Sequence, residues 1–282
     1  MPGARVICLH FAPVGAKLLH AADGLGLVAV ARTGLENVDI RTATDRGIGV
    51  VPVYGRNAAA VAELQIGLIL AEARDIARAQ ASVAAGGWRK EFPGARIELG
   101  GRTVGMIGFG HVGRQFAPRL AGFRCRLVAY DPYVSDEVFA AYDVTRVSTL
   151  DEVFRAGDFV VLQARHTSET DRFIGADQFA LMRPHAYFIN VARSRMVDTA
   201  ALYAALASGQ IAGAGVDVHD EEPLPADSPW RALDNVTMTT HFGGDTEETE
   251  TTSARLVAEA VAEFAETGRV RSAINAEVLG WS

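Results

Sequence analysis

The sequence predicts an α/β fold of parallel, doubly wound sheets with helices on both faces. Three observations predict it. Short apolar runs with strand character alternate along the chain with helical stretches, the pattern that builds parallel sheets. One strand–helix pair, inside the stretch from Arg102 to Asp131, carries glycines at 108, 110 and 113 in G-x-G-x-x-G spacing. Polar residues of unusual type gather just after three later strands, at the ends where such sheets place their ligands.

The elements follow in order. Arg5 to Phe11 reads as a strand, Ala16 to Ala22 as a short helix and Leu27 to Ala31 as a second strand. That strand runs into a loop, Arg32 to Asp39, which opens a short helix, and Val50 to Val53 is a third strand. Asn57 is a good N-cap for a long helix that runs to the glycine pair 86–87, with Val61, Leu64, Leu68 and Ala71 as its apolar stripe. A helix of that length bridges domains or subunits. Thr103 to Ile107 is a strand, His111 to about Leu120 a helix that Pro118 should kink, and Arg126 to Tyr130 a strand. Strands are then expected at Val144–Val147, Phe159–Gln163, Ala186–Val191, Gly213–Val218 and Val236–Thr240. Helices are expected among them at Leu150–Arg155, Ala176–Met182 and Thr199–Ser208.

Composition limits the classes of function. The chain has 282 residues, enough for two domains or one large one, and is 49% hydrophobic, which supports a sizeable core. Its net charge is −7 and it has no basic run able to follow a nucleic-acid backbone. No apolar run reaches the roughly 18 residues of a membrane span, and Met1 to His20 lacks the charged start and cleavage site of a signal peptide. The two cysteines, Cys8 and Cys125, lie in apolar runs and are expected as buried, reduced thiols in a cytoplasmic protein. The histidines show no metal-ligand spacing, so no metal site is expected.

The glycine stretch has a definite chemistry. Gly108 permits a tight turn, Gly110 lets a pyrophosphate approach the backbone, and Gly113 lets helix and strand pack closely. The N-terminus of the following helix offers unpaired N–H groups to phosphates. The next strand ends in Asp131, placed to accept hydrogen bonds from an adenosine ribose and to repel a 2′-phosphate, which favours NAD over NADP. At the later strand ends stand Arg193, Glu222 and His241. Singly, each would be an ordinary surface or loop residue. Together at strand ends they form the equipment for hydride transfer on an oxoacid. The arginine grips a planar carboxylate, the histidine moves the proton that accompanies the hydride, and the carboxylate stabilises the imidazolium.

Six segments then carry a resemblance: GLENVD, NAAAVAE, GRTVGMIGFGHVGR, NVARSRMVDTAAL, GAGVDVHDEEPLP and NVTMTTHFGGDT. With them the chain resembles the D-isomer-specific 2-hydroxyacid dehydrogenases from about Arg5 to Ala276. The resemblance implies two Rossmann-like domains, a substrate domain from residues 1–55 and 244–282 and an NAD-binding domain from residues 56–243. It implies Arg193 as the group that binds the substrate carboxylate and carbonyl, His241 as acid/base and Glu222 as its partner. The backbone at Thr33 and Gly34 should also hold the carboxylate. His111 and Val112 should wrap the pyrophosphate. Ala164, Val191, Ala192, Gly243 and Gly244 should line the cofactor, and Asp217 should face the nicotinamide amide. A homodimer through the helix at 57–87 is implied as well. Dinucleotide-sensing corepressor-like proteins and non-catalytic family members are the alternatives.

Departures from the family pattern are specific. Ser194 stands for the usual glycine after the arginine, Thr240 for the proline before the histidine, and Arg165-His166 for Pro-Leu. The strand–helix–strand–helix unit that precedes Arg5–Phe11 in the family is absent from this sequence. The substrate domain is therefore expected to be truncated at its start, with three parallel strands of five and Arg5–Phe11 as an exposed apolar edge.

Overall fold

The computed structural model describes residues 3–92 and 94–281. In chain order the elements are β1 (Val6–Leu9), α1 (Ala16–Ala21), β2 (Leu27–Val30), α2 (Ile40–Asp45), β3 (Gly49–Pro52), α3 (Ala58–Arg74) and α4 (Ile76–Ala84). Then come β4 (Thr103–Ile107), α5 (His111–Leu120), β5 (Arg126–Tyr130), α6 (Asp136–Ala141), β6 (Thr145–Arg146), α7 (Leu150–Ala156) and β7 (Phe159–Leu162). The last are α8 (Ala176–Leu181), β8 (Tyr187–Asn190), α9 (Thr199–Ala207), β9 (Gly213–Val216), β10 (Val236–Met238) and α10 (Glu247–Thr267). The chain divides into two compact units, Met1–Asn57 with Asp245–Ser282, and Ala58–Gly244.

The first unit is a parallel three-stranded sheet in the order β1-β2-β3. Strand alternation sorts its core into two layers. Val28 and Val30 join Leu19, Val38 and Ile48 on the side of α1 and α2. Leu27 and Ala29 join Ala260, Phe264 and Val270 on the side of α10. Asp39 caps α2 by accepting the Thr42 N–H at 2.9 Å. The free side of β3 is closed by Ile274 and Asn275. Asn275 accepts the Val50 N–H at 3.0 Å and donates to the Ile48 carbonyl at 2.9 Å, and the Ile274 N–H donates to Val50. Among the described residues β1 has one strand neighbour, and the side chain of Phe11 beyond it is 67% exposed. Cys8, expected to be buried, is exposed for the same reason, and Cys125 is half-buried.

The second unit is a parallel seven-stranded sheet in the order β10-β9-β8-β7-β4-β5-β6. Its central strands are buried on both faces, so they read as continuous apolar runs. Phe159, Val161 and Ile189 pack with Val61 and Leu68 of α3 and Phe116 of α5. Val160, Leu162 and Phe188 pack with Phe154, Phe179 and Leu202 on the other face. The edge strand expected at 144–147 shortens to two exposed residues, because only β5 holds it.

The long helix expected from Asn57 to residue 87 is two helices. Asp75 adopts φ 55°, in the left-handed region, and breaks it. Its neighbours explain why an aspartate takes this conformation: its carboxylate is gripped by Arg78 at 3.2 Å and by Arg96 at 3.6 Å. Pro118 falls in the last turn of α5, which tightens into a 3₁₀ turn at Ala121–Phe123.

Candidate active site

The chain leaves β4 toward β5 on one side, while β7 lies on the other. A crevice opens at such a reversal, beyond the carboxyl ends of the strands. Gly108 sits there with φ +94°, and a Cβ on it would lie 2.7 Å from Ala164 Cα, so the turn requires glycine. A Cβ on Gly113 would meet Gln163 Nε2 at 2.7 Å and Phe109 Cδ2 at 2.9 Å, so α5 packs against the strand ends only without one. In front of Gly110 there is open space: no atom lies within 4 Å of an added Cβ. His111 and Val112 open α5, where amide N–H groups lack intrahelical acceptors. An anionic pyrophosphate fits this cradle by space and by charge.

Asp131 faces the turn. It accepts the Phe109 N–H at 2.8 Å and the Tyr133 N–H at 2.9 Å, which fixes the carboxylate at the end of β5. One supporting group escapes sequence reasoning. Gln163 Nε2 donates to the Gly108 carbonyl at 2.9 Å, and its Oε1 accepts from the buried Gln65 of α3 at 3.0 Å. The pair braces the glycine turn from below. Ala164, Val191 and Ala192 follow β7 and β8 at the same edge.

The later strand ends bring two of the predicted residues, Glu222 and His241, into direct contact. His241 Nδ1 hydrogen-bonds both oxygens of Glu222, at 2.8 and 3.0 Å. The other ring nitrogen, Nε2, has no protein partner among the described residues. Glu222 also accepts the His219 N–H at 3.0 Å. Burial pushes its carboxyl up, but the His219 N–H and the His241 imidazole outweigh burial and hold it below the usual glutamate range. Arg193 lies on the loop after β8. Its guanidinium donates to its own neighbour, the Ala192 carbonyl, at 2.7 Å.

Ser194 links the two groups. It is buried, and its hydroxyl donates to the His219 carbonyl at 3.0 Å, so the Arg193 loop is tied to the residue that orients Glu222. Asn190 secures the other side of that loop by accepting the Ala192 N–H at 3.0 Å and donating to the Arg193 carbonyl at 3.3 Å. The histidine loop is held by Asp217. Its carboxylate, expected at a nicotinamide amide, is 1% exposed. It accepts from the Thr239 hydroxyl at 2.6 Å, the Phe242 N–H at 3.1 Å and the Gly243 N–H at 2.9 Å. Between those anchors His241 takes φ 58°, a left-handed conformation that costs a non-glycine residue about 1–2 kcal/mol. Thr240, standing before it, leaves the backbone without a proline's fixed φ. Gly243 packs on Asp217 and Leu64, and Gly244 follows it.

The remaining predicted residues lie in the first unit. The Thr33 hydroxyl donates to the Val53 carbonyl at 3.4 Å. Gly34 lies beneath the Glu36 carboxylate, whose Oε2 would be 2.5 Å from an added Cβ. Asn37 holds the loop by donating to the Ala12 carbonyl at 2.8 Å. In the second unit His166 is paired with Asp171 at 2.8 Å. No group of three or more His, Cys, Asp or Glu able to hold a metal occurs among the described residues, and no helix among them is long and apolar enough to cross a membrane.

Comparisons with known proteins agree on one relationship. The family model for the D-isomer specific 2-hydroxyacid dehydrogenase, NAD binding domain, matches residues 66–243. A D-3-phosphoglycerate dehydrogenase of Methanocaldococcus jannaschii is 40% identical over 86% of this chain and 46% of its own length. A hydroxypyruvate reductase of Thermotoga maritima is 38% identical over 84% of this chain and 76% of its own. The crystal structure of D-mandelate dehydrogenase from Rhodotorula graminis superposes with a TM-score of 0.82 at 26% identity, covering 92% of this chain and 80% of that one. The chain spans about half the length of the phosphoglycerate dehydrogenases it matches, 46% in the first case.

Proposed function

The chain belongs to the D-isomer-specific 2-hydroxyacid dehydrogenase family, and from that premise we propose that it reduces a small 2-oxo acid to the 2-hydroxy acid with NADH. The observation that carries the proposal is the Glu222–His241 pair. Glu222 holds Nδ1 at 2.8 Å and so fixes the ring, leaving Nε2 to exchange a proton. A dinucleotide sensor needs the cradle at Gly108–Gly113 but has no use for an oriented imidazole.

NADH supplies the hydride when it is bound. The residues do the rest. The guanidinium of Arg193 turns from the Ala192 carbonyl to clasp the substrate carboxylate and polarise its carbonyl. Backbone N–H groups at Thr33 and Gly34 hold the same carboxylate. His241 gives the proton on Nε2 to the carbonyl oxygen as that oxygen gains charge, and Glu222 stabilises the imidazolium beforehand. In the reverse direction neutral His241 takes the hydroxyl proton. Asp131, whose carboxylate faces the adenosine side of the turn, selects NAD against NADP. Val191, Ala192, Gly243 and Gly244 line the nicotinamide half. Asp217 acts on that half through the loop it anchors.

The protein works as a homodimer in the cytoplasm. What supports the dimer is α4 and its flank: no residue of α4 is buried, and Ile76, Val83 and Trp88 are 53%, 56% and 77% exposed. The test of function is NADH oxidation by the purified chain with glyoxylate, hydroxypyruvate, pyruvate and phosphohydroxypyruvate. Turnover of at least one supports the proposal. NADH binding without turnover of any of the four makes the chain a sensor instead.

A further inference from the structure

The first unit gathers two arginines and an imidazole that the reaction above does not use. His10 follows β1, Arg32 follows β2 and Arg56 follows β3, so all three stand at the carboxyl ends of parallel strands, where sheets of this kind bind ligands. Their polar atoms are incompletely matched. His10 Nε2 and Arg56 Nε are buried without a hydrogen-bond partner. Arg56 reaches one, the Ser253 hydroxyl at 3.0 Å, through Nη1. Arg32 lies 4.9 Å from the centroid of the Phe11 ring and 3.4 Å from Glu36, whose side chain is 68% exposed.

Two of the three groups are disfavoured in their charged forms. Burial first, then the charges of Arg56 and Arg32, hold the His10 imidazole below its ordinary range. Burial first, then Arg32, does the same to Arg56. The acids that face them are Glu250, Asp245 and Glu36, and these leave the two buried nitrogens unpartnered. Two guanidinium groups close together, with an unpaired guanidinium N–H and an unpaired imidazole nitrogen beside them, are unfavourable without a ligand, and an oxyanion would relieve the repulsion, favour the charged imidazole and supply the missing hydrogen bonds.

We propose that His10, Arg32 and Arg56 form an oxyanion site that takes a second carboxylate, or a phosphate, carried on the far end of the 2-oxo acid. This rests on the reading that Thr33 and Gly34 hold the substrate's first carboxylate. Arg32 is the residue next to them in the chain, so its site serves the same molecule. Glu36 releases Arg32 when the substrate arrives.

The test compares kcat/KM with NADH for two pairs, oxaloacetate against pyruvate and phosphohydroxypyruvate against hydroxypyruvate. The first pair reads a carboxylate, the second a phosphate. One pair or the other should favour the doubly charged member. Arg32→Gln and Arg56→Gln should each cut that preference about 10- to 100-fold, the range for lost hydrogen bonds to a charged group, while Arg56→Lys keeps most of it. A separate reading needs no turnover: inorganic phosphate should raise the Tm of the full chain saturably, and Arg56→Gln should abolish the rise. Turnover with no preference in either pair, or an equal loss for both members in the variants, overturns the oxyanion site and leaves the reaction standing. Absence of turnover with every oxo acid overturns the reaction and, with it, the role given to the site, even if phosphate stabilises the protein.

Discussion

Replacing Glu222 with glutamine keeps the size of the side chain and removes one charge from beside His241. At the 2.8 Å between Nδ1 and the nearer carboxylate oxygen, opposite unit charges attract by roughly 1.5 kcal/mol at the dielectric of water and roughly 6 kcal/mol at that of a protein surface. Both side chains are 39% exposed, so solvent screening holds the effective value near the lower figure. The interaction is reciprocal. A carboxylate beside an imidazole favours the charged ring, and a neutral amide in its place does not. The proton donor for reduction is that charged form. Glu222→Gln should therefore move the alkaline limb of the kcat/KM profile for oxoacid reduction to lower pH by about one unit. Turnover lost on the alkaline side should return as the pH is lowered, which a collapsed loop would not allow. The displacement should shrink at 1 M salt, where the Debye length is about 3 Å. A variant with the profile of the unaltered protein, or one inactive at every pH, would refute the reasoning.

Four further variants test the same geometry. Arg193→Ala should lower kcat/KM by about 10²–10³ and His241→Ala by about 10²–10⁴, with NADH affinity by fluorescence titration largely kept; near-normal turnover in either removes the mechanism. Asp131→Ser should narrow the preference for NADH over NADPH, since a carboxylate about 4 Å from a 2′-phosphate disfavours it by roughly 1–4 kcal/mol; a native preference for NADPH would mean that another cation governs the site. Ser194→Ala breaks the tie to the His219 carbonyl and leaves that carbonyl unpaired, which should cost about 1–3 kcal/mol of stability in urea unfolding and lower kcat more than it raises KM; a change in KM alone would assign Ser194 to substrate binding.

What the sequence reveals divides by range of interaction. The turn at Gly108–Gly113 is legible because a strand, three glycines, a helix and an acid act within one short stretch. The strand ends at Arg193, Glu222 and His241 are legible as places, because parallel sheets put ligands there. Their supports are not. Asp217 reaches 26 residues along the chain to Gly243, and Ser194 reaches 25 residues to His219, so neither role shows in any local pattern. The break at Asp75 is hidden for the same reason. An alanine- and leucine-rich run favours one continuous helix, and only Arg78 and Arg96, brought in by the fold, reward the left-handed aspartate. The helix at Glu247–Thr267 has a local signal, a Thr246 cap and apolar residues at Val257, Ala260, Val261 and Phe264, although strand–helix alternation does not predict it.

The clasp at Asn275 has a consequence for the order in which the protein is made. The second unit is one unbroken stretch, Ala58–Gly244, and every strand it needs is synthesised before α10 and Asn275. The first unit begins earlier but is completed after the second. The Val50 N–H waits for an acceptor 225 residues downstream, and the layer over Leu27 and Ala29 waits for Ala260 and Phe264. Until Ala260, Phe264 and Asn275 are made, the first three strands therefore persist as a half-covered sheet while the later stretch folds. Closing that long loop costs chain entropy, which grows only slowly with length, but the delay exposes apolar strands to other nascent chains. A slow codon run or a chaperone acting between residues 58 and 245 would protect this sheet; the same intervention after residue 275 would arrive too late.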